Sequence, residues 1–253
     1  MTVVYRAGLS VTATEVNAIV FDLPGCSFSA ASVSDARTLL PAAIAEYLSW
    51  LASHDEEVAP GDTDAEIVEE VDPNAGDVAD GEFCFDDDLR PVTDDEIERA
   101  IQLLQRSRGD LVSTIESLPD VLLDWRPPLS AMARVDEWKP GVLTIREIVR
   151  DISAAESYYR GALLDGDGPP DPDAELYDLA LQRERLIATL RALPASDRGR
   201  VFRRTMPWQE SGEEHWTVRK VIRRVVGHER FHTAEIRQRL TWVLLGVPTC
   251  SRA

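Results

Sequence analysis

The hydrophobic positions of the chain change their spacing along its length. Near the N-terminus, short β-rich runs at 3–5, at 16–21 and around Phe28 predict three strands. From Ser34 onward the apolar positions repeat every three to four residues, which predicts a helix. The apolar side of this helix consists of Leu39, Leu40, Ile44, Tyr47, Leu48 and Leu51. Residues 1–54 are therefore interpreted as a small α/β domain.

Residues 55–90 contain few apolar positions and show no helical period. Between 55 and 88 there are 15 acidic residues and no Lys or Arg, which accounts for most of the net charge of −18. The rest of the chain carries 30 acidic and 27 basic residues, a net charge of −3. Such a segment buries too little surface to offset its ordering entropy. We interpret it as an acidic linker, with a docking tail for a basic partner as the alternative.

Residues 91–246 contain four longer helical patterns. The first helix is predicted from about Asp94 to Leu118, and the second from Thr144, where Thr144 and Glu147 form a capping box, to about 164. The third and fourth are predicted at about 174–193 and 217–245. Widely connected helices of this length predict an antiparallel four-helix bundle. The expected fold class is mainly α, with the bundle preceded by the small α/β domain.

Composition and charge exclude several classes of protein. An acidic chain is a poor candidate for nucleic acid, which requires a clustered positive surface. The three cysteines (Cys26, Cys84 and Cys250) are odd in number and widely spaced, so they predict no disulfide framework. The sequence begins without a signal-peptide pattern and has no apolar run of about 18 residues. We expect a cytoplasmic protein that binds neither nucleic acid nor membrane.

Candidate chemistry concentrates on the last predicted helix. Its apolar face carries Val218, Val221, Val225, His228, His232 and Ile236. Two imidazoles four residues apart can hold one metal ion if another helix supplies a third ligand. Asp151 lies three residues after Ile148 and four before Ala155, so it shares the core-facing side of the second helix with them. A metal, an arginine or a protonated histidine would each satisfy this carboxylate. The alternative is a pair of hydrogen-bonded core histidines.

Two segments resemble the DinB-like superfamily over residues 92–245. Residues 144–156 (Thr-Ile-Arg-Glu-Ile-Val-Arg-Asp-Ile-Ser-Ala-Ala-Glu) resemble its second helix, and 215–236, which include His228-Glu-Arg-Phe-His232, resemble its last. The resemblance implies a bundle in which one histidine of helix two and two of the last helix hold zinc or nickel. Asp151 stands where the family has the first histidine. Aspartate also ligates zinc, nickel and manganese, so the identity of the metal stays open, as does a vestigial site.

The N-terminal segment carries a second resemblance. Phe21-Asp-Leu-Pro-Gly-Cys26, a following strand and a helix from Ser34-Asp-Ala to near Trp50 resemble the HicB-like antitoxin domain over the first 54 residues. The resemblance implies a protein partner or self-association through this domain, for instance at a sheet edge. The alternative is that Pro24-Gly25 only forms a turn between two strands.

Two functions follow from these patterns. The first is a metal-dependent enzyme, a transferase, isomerase or hydrolase, and the DinB-like resemblance implies a small thiol and an electrophilic substrate. No catalytic residue can be assigned: Glu156, Tyr158, Tyr159 and Glu229 lie near the ligands in sequence, but we interpret them as surface or packing residues. The second is a non-catalytic binding or regulatory protein with a structural or vestigial metal site. An open coordination position that faces a pocket would favour the enzyme.

Overall fold

The computed structural model describes residues 2–58, 63–72, 84–128, 143–164, 178–205 and 213–247. Its N-terminal elements are β1 (Val3–Val11), β2 (Val16–Val20), β3 (Ser27–Ala30), α1 (Val33–Ala52) and β4 (Thr63–Val71). They form a four-stranded sheet in the order β3-β2-β1-β4. The β1–β2 and β2–β3 pairs are antiparallel, whereas β1 and β4 are parallel. The three predicted strands and the predicted helix are all present.

Helix α1 covers one face of the sheet. Its N-cap is Ser32, whose hydroxyl accepts a hydrogen bond from the backbone N–H of Asp35. Its buried face, spaced three to four residues apart, consists of Ala36, Leu40, Ile44, Tyr47, Leu48 and Leu51. These side chains pack with β1 residues Ala7 and Leu9, so the helix and the sheet share one core.

The acidic segment 55–90 contains a strand, so its prediction as a linker was wrong at these positions. In β4 the side chains alternate between half-buried and exposed, and Asp64, Glu66 and Glu70 occupy exposed positions while Ile67 packs against the core. A short 3-10 turn at Asp86–Leu89 also lies in this segment. Pairing with β1 supplies the backbone partners that offset the cost of ordering these residues. Residues 59–62 and 73–83 lie outside the described part.

The C-terminal elements form a four-helix bundle. They are α2 (Asp94–Ile115), α3 (Asp120–Leu123), α4 (Ile145–Gly161), α5 (Leu179–Ala192), β5 (Phe202–Thr205), β6 (Glu213–Trp216) and α6 (Val218–Leu244). Both α2 and α4 contact α5 and α6, which closes a ring of four helices. The start predicted for the third helix, near 174, lies outside the described residues. The antiparallel β5–β6 hairpin was not predicted.

Three of the predicted helix starts are confirmed by their caps. Thr93 and Thr144 form capping boxes with Glu96 and Glu147, and Thr217 accepts a hydrogen bond from the backbone N–H of Lys220. Across the described residues, no helix combines the length and the apolarity that crossing a membrane requires.

The N-terminal domain and the bundle share one hydrophobic cluster, which runs from the sheet and α1 into α2, α5 and α6. The Pro24-Gly25 turn lies directly on α6. Gly25 has a positive φ of 91°, and a Cβ atom there would lie 2.4 Å from Cγ1 of Val226. Polar contacts reinforce this packing, because Trp50 Nε1 donates to Asp110 Oδ2 over 2.7 Å. The contact with Val226 places the turn close to His228, and Gly25 and His228 line the same cavity.

Candidate metal centre

The three predicted ligands lie together where α4 packs against α6. His232 Nε2 is 3.1 Å from Asp151 Oδ2 and 3.2 Å from His228 Nε2, and His228 Nε2 is 3.5 Å from Asp151 Oδ2. A zinc ion with bonds of about 2.0–2.1 Å and angles of 90–110° holds its donors roughly 2.9–3.4 Å apart. Two of the three donor separations lie in this range and the third, 3.5 Å, lies just above it, so the donor atoms fit a divalent transition metal. That such a metal binds stays a prediction.

Apolar residues lie near the three ligands on α4 and α6. Ile148 and Ile152 on α4 and Ile236 on α6 belong to a second hydrophobic cluster below the site. On the other side, the Tyr159 ring meets the His228 ring edge-on at a centroid distance of 6.1 Å. His232 is 8% exposed, whereas His228 and Asp151 are 20% and 25% exposed. The site is therefore sheltered from water without being closed.

A second carboxylate orients His232. Glu235 Oε2 lies 2.7 Å from His232 Nδ1, and Glu235 Oε1 lies 2.9 Å from the buried guanidinium of Arg239. Arg239 in turn donates from Nε to the carbonyl oxygen of Leu143. When Nδ1 carries the proton of this hydrogen bond, Nε2 is left as the acceptor that faces Asp151 and His228. Carboxylates hold metal-ligating histidines in this way. The i, i+3 spacing of His232 and Glu235 would have allowed its prediction.

The pKa values of the two histidines are shifted in opposite directions. Burial lowers the pKa of His228 to about 4, and the nearby His232 adds to this effect. Burial also opposes the charge on His232, but the carboxylates of Asp151 and Glu235 outweigh it and raise the pKa of His232 above its ordinary value. A neutral His228 is the form that coordinates a metal.

A buried charge cluster of four residues lies beside the site, with one member on each bundle helix: Arg108, Glu156, Arg183 and Glu229. Glu229 accepts hydrogen bonds from Arg108 Nε over 2.5 Å and Arg183 Nη2 over 2.7 Å. Glu156 accepts from the same two guanidiniums. The prediction of Glu156 and Glu229 as surface or packing residues was wrong, because each carboxylate is buried between two arginines.

A cavity of about 430 Å³ lies between the sheet and α6. His228 belongs to its wall, together with Cys26 of the Pro24-Gly25 turn and Phe231 of α6. This volume lies in the range of about 300–1,000 Å³ that small-molecule sites have. His228 is therefore both a candidate metal ligand and part of the wall of a cavity large enough for a small molecule.

Comparison with known proteins gives a family match and a structural likeness. The sequence profile of the DinB superfamily matches residues 88–236, which is more than half of the chain. The chain belongs to the DinB superfamily. This DinB chain also resembles YfiT from Bacillus subtilis, described as a probable metal-dependent hydrolase with an unusual four-helix bundle topology. The identity is 19% and the TM-score 0.40, over 66% of this chain and 96% of YfiT. No curated protein sequence matches the chain.

The matched range contains all four bundle helices as far as residue 236, and all three candidate ligands. It begins after β4, so it does not cover the sheet or α1. The HicB-like resemblance of residues 1–54 therefore stays a prediction.

Proposed function

We propose that this DinB-superfamily protein is a metal-dependent enzyme that acts on a small electrophilic substrate, with a low-molecular-weight thiol or water as the nucleophile. Asp151, His228 and His232 hold one divalent ion, zinc or nickel in preference to manganese. The observation that carries the proposal is the triangle of donor atoms, 3.1, 3.2 and 3.5 Å apart, held beside a ligand-sized cavity.

The ligand set supports a reactive site in place of a structural one. Structural zinc sites are normally filled by four protein ligands, and three protein ligands leave a position for a substrate or a solvent molecule. Within the described residues, the cluster contains these three side chains and no fourth. When bound, the ion supplies Lewis acidity that lowers the pKa of a thiol or water beside it.

Residues around the candidate ligands fix their orientation. Glu235 and Arg239 fix the orientation of His232, and Tyr159 packs against the ring of His228. The apolar isoleucines below the site exclude water, which strengthens the attraction between the ion and its ligands. The buried charge cluster holds Glu229, and hence the turn of α6 that carries His228, against the other three helices.

Metal analysis of tag-free protein tests the site. The wild type should retain about one zinc or nickel per chain, and Asp151→Ala and His228→Ala should each lose it. Asp151→His restores the three-histidine set that the family resemblance implies, and should bind zinc again. His54→Ala is the matched control, because His54 pairs with Asp110 away from the site.

A wild type that takes up no zinc, nickel or manganese would refute the metal site. Metal that survives in both alanine variants would place it elsewhere. The reaction is tested on the metal-loaded protein with a thiol and 1-chloro-2,4-dinitrobenzene, and separately with 4-nitrophenyl acetate. Turnover of either compound that disappears in Asp151→Ala supports the enzyme, and equal rates with and without metal contradict it.

A second candidate function is a binding protein that uses the N-terminal sheet. Within the described residues, β3 and β4 lie at the edges of the sheet, and edge strands can pair with another chain. This function predicts a dimer or a hetero-complex. Sedimentation of the purified protein tests the dimer, and a monomer at all concentrations would leave only a different protein as the partner.

A further inference from the structure

The cavity beside His228 has two walls that come from different parts of the chain. One wall is the face of the sheet opposite α1, and the other is the N-terminal half of α6. The two walls meet where the Pro24-Gly25 turn touches α6: a Cβ on Gly227 would lie 3.1 Å from Ser27 Oγ. The N-terminal domain therefore encloses a space that the bundle alone would leave open.

The sheet wall is polar where a packed interface would be apolar. The strand pairing places Ser10 opposite Asn17, and Asn17 opposite Ser29, in a row across three strands. All three side chains line the cavity, and Ser29 Oγ donates to Asn17 Oδ1 over 2.7 Å. Ser10 is buried, Asn17 is half-buried and Ser29 is exposed, so their hydroxyl and amide groups can hydrogen-bond to a polar molecule in the cavity. We call these three residues the polar row.

The α6 wall contains two arginines. Arg223 and Arg224 line the cavity, and in the described part of the chain no residue of the wall carries a carboxylate. Arg223 forms an ion pair with Asp88, with contacts of 2.8 and 2.7 Å, and Arg224 donates a hydrogen bond to the hydroxyl of Tyr159. Asp88 offsets the charge of Arg223, and Arg224 presents a second guanidinium to the cavity.

Aromatic rings complete the cavity. Phe85 belongs to its wall, and Phe231 lies at its edge with 66% of its surface exposed. Rings, a polar row and arginines together match a molecule with an apolar body and an anionic oxygen group.

We propose that this cavity is the substrate pocket of the metal centre and that it binds a small organic anion, a carboxylate or a phosphate ester. The anionic group pairs with Arg224, the polar row hydrogen-bonds to the polar part of the molecule, and the rings pack against its apolar body. The N-terminal domain thus contributes to substrate selection. The link to the metal centre rests on the function proposed above, whereas binding of the anion does not.

Isothermal titration of the metal-free, full-length protein tests the proposal with three probes of similar size: benzoate, phenyl phosphate and benzyl alcohol. One of the two anions should bind at least tenfold more tightly than the neutral alcohol. Arg224→Gln should weaken that binding about tenfold or more, because a charge-assisted hydrogen bond is lost. Asn17→Leu, which removes the centre of the polar row at similar size, should also weaken it. Arg237→Gln, at an exposed position on the same helix, is the matched control.

Preference for benzoate or for phenyl phosphate identifies the anionic group, and either preference supports the pocket. Equal binding of benzyl alcohol, no saturation by either anion, or equal losses in Arg224→Gln and Arg237→Gln would overturn it. Circular dichroism checks that each variant is folded, and Asn17→Leu provides the test if Arg224→Gln is not. Anion binding, combined with no uptake of zinc, nickel or manganese in the metal analysis, would refute the metal centre alone. Metal binding without anion binding would refute the pocket alone.

Discussion

Replacing Glu229 by glutamine removes one negative charge from the buried charge cluster and keeps the shape of the side chain. The Glu229 carboxylate is 1% exposed and accepts hydrogen bonds from Arg108, Arg183 and Ser107. Glutamine keeps one acceptor oxygen, and its amide N–H groups would face a guanidinium that also donates. Two buried arginines would then share the single carboxylate of Glu156.

Removing one partner from a buried ion pair costs about 3–5 kcal/mol, because the remaining charge is buried without compensation. We expect Glu229→Gln to lower the free energy of unfolding by this amount. For a chain of this size the unfolding midpoint should fall by roughly 6–20 °C. Glu98→Gln is the control, since Glu98 and Arg191 form an exposed pair on the surface, and its midpoint should equal that of the wild type.

The stabilisation that Glu229 contributes depends on pH. Burial alone would raise the pKa of Glu229, but Arg183 and Arg108 outweigh burial and lower it below the ordinary value of 4.5. The wild type therefore keeps this stabilisation above pH 4.5 and loses it as the pH falls through the lower, folded-state pKa. Urea unfolding at several pH values measures the free energy of unfolding of the wild type and of Glu229→Gln. The difference between the two values should become smaller as the pH falls. A midpoint of Glu229→Gln within error of that of Glu98→Gln at pH 7 would refute the account.

Two further predictions concern the metal centre and the turn on α6. Glu235→Gln should weaken metal binding about 10–100-fold, because His232 loses the carboxylate that orients it; competition with a chelator measures this, and unchanged affinity would contradict that role. Gly25→Ala should lower the free energy of unfolding by about 2–4 kcal/mol, since it adds a clash with Val226 to the cost of a positive φ. Gly246→Ala has the positive φ without a neighbour within 4 Å, so its loss should be smaller, and equal losses would argue against close packing of the turn.

The helices could be predicted because the signals that form them are local. The capping box of Thr144 and Glu147 and the apolar stripe of α6 lie within a few residues of sequence, and both match the structure closely. Asp151, His228 and His232 could be placed on interior faces for the same reason. Their meeting needed only that α4 and α6 be neighbours in a bundle.

The features that could not be predicted depend on partners distant in sequence. Strand β4 is acidic and weakly apolar, and it is stabilised by parallel pairing with β1, some 60 residues earlier. Its alternating pattern was present in the sequence but was outweighed by its charge. The burial of Glu156 and Glu229 likewise depends on Arg108 and Arg183, which lie on two other helices. Nothing in the local sequence of either glutamate reveals these arginines.

The seating of the Pro24-Gly25 turn on α6 bears on how this protein can be shortened. A fragment that begins at residue 88, where the family match begins, would expose Val226 and the apolar surfaces that pack against α1 and the sheet. Each fully buried aliphatic or aromatic side chain brought into water costs about 1.5–3 kcal/mol, and a whole domain is stable by only 5–15 kcal/mol. The boundary of the family is therefore not a boundary of folding. We therefore expect the N-terminal domain and the bundle to unfold as one cooperative unit, so that a change in either part alters the stability of both.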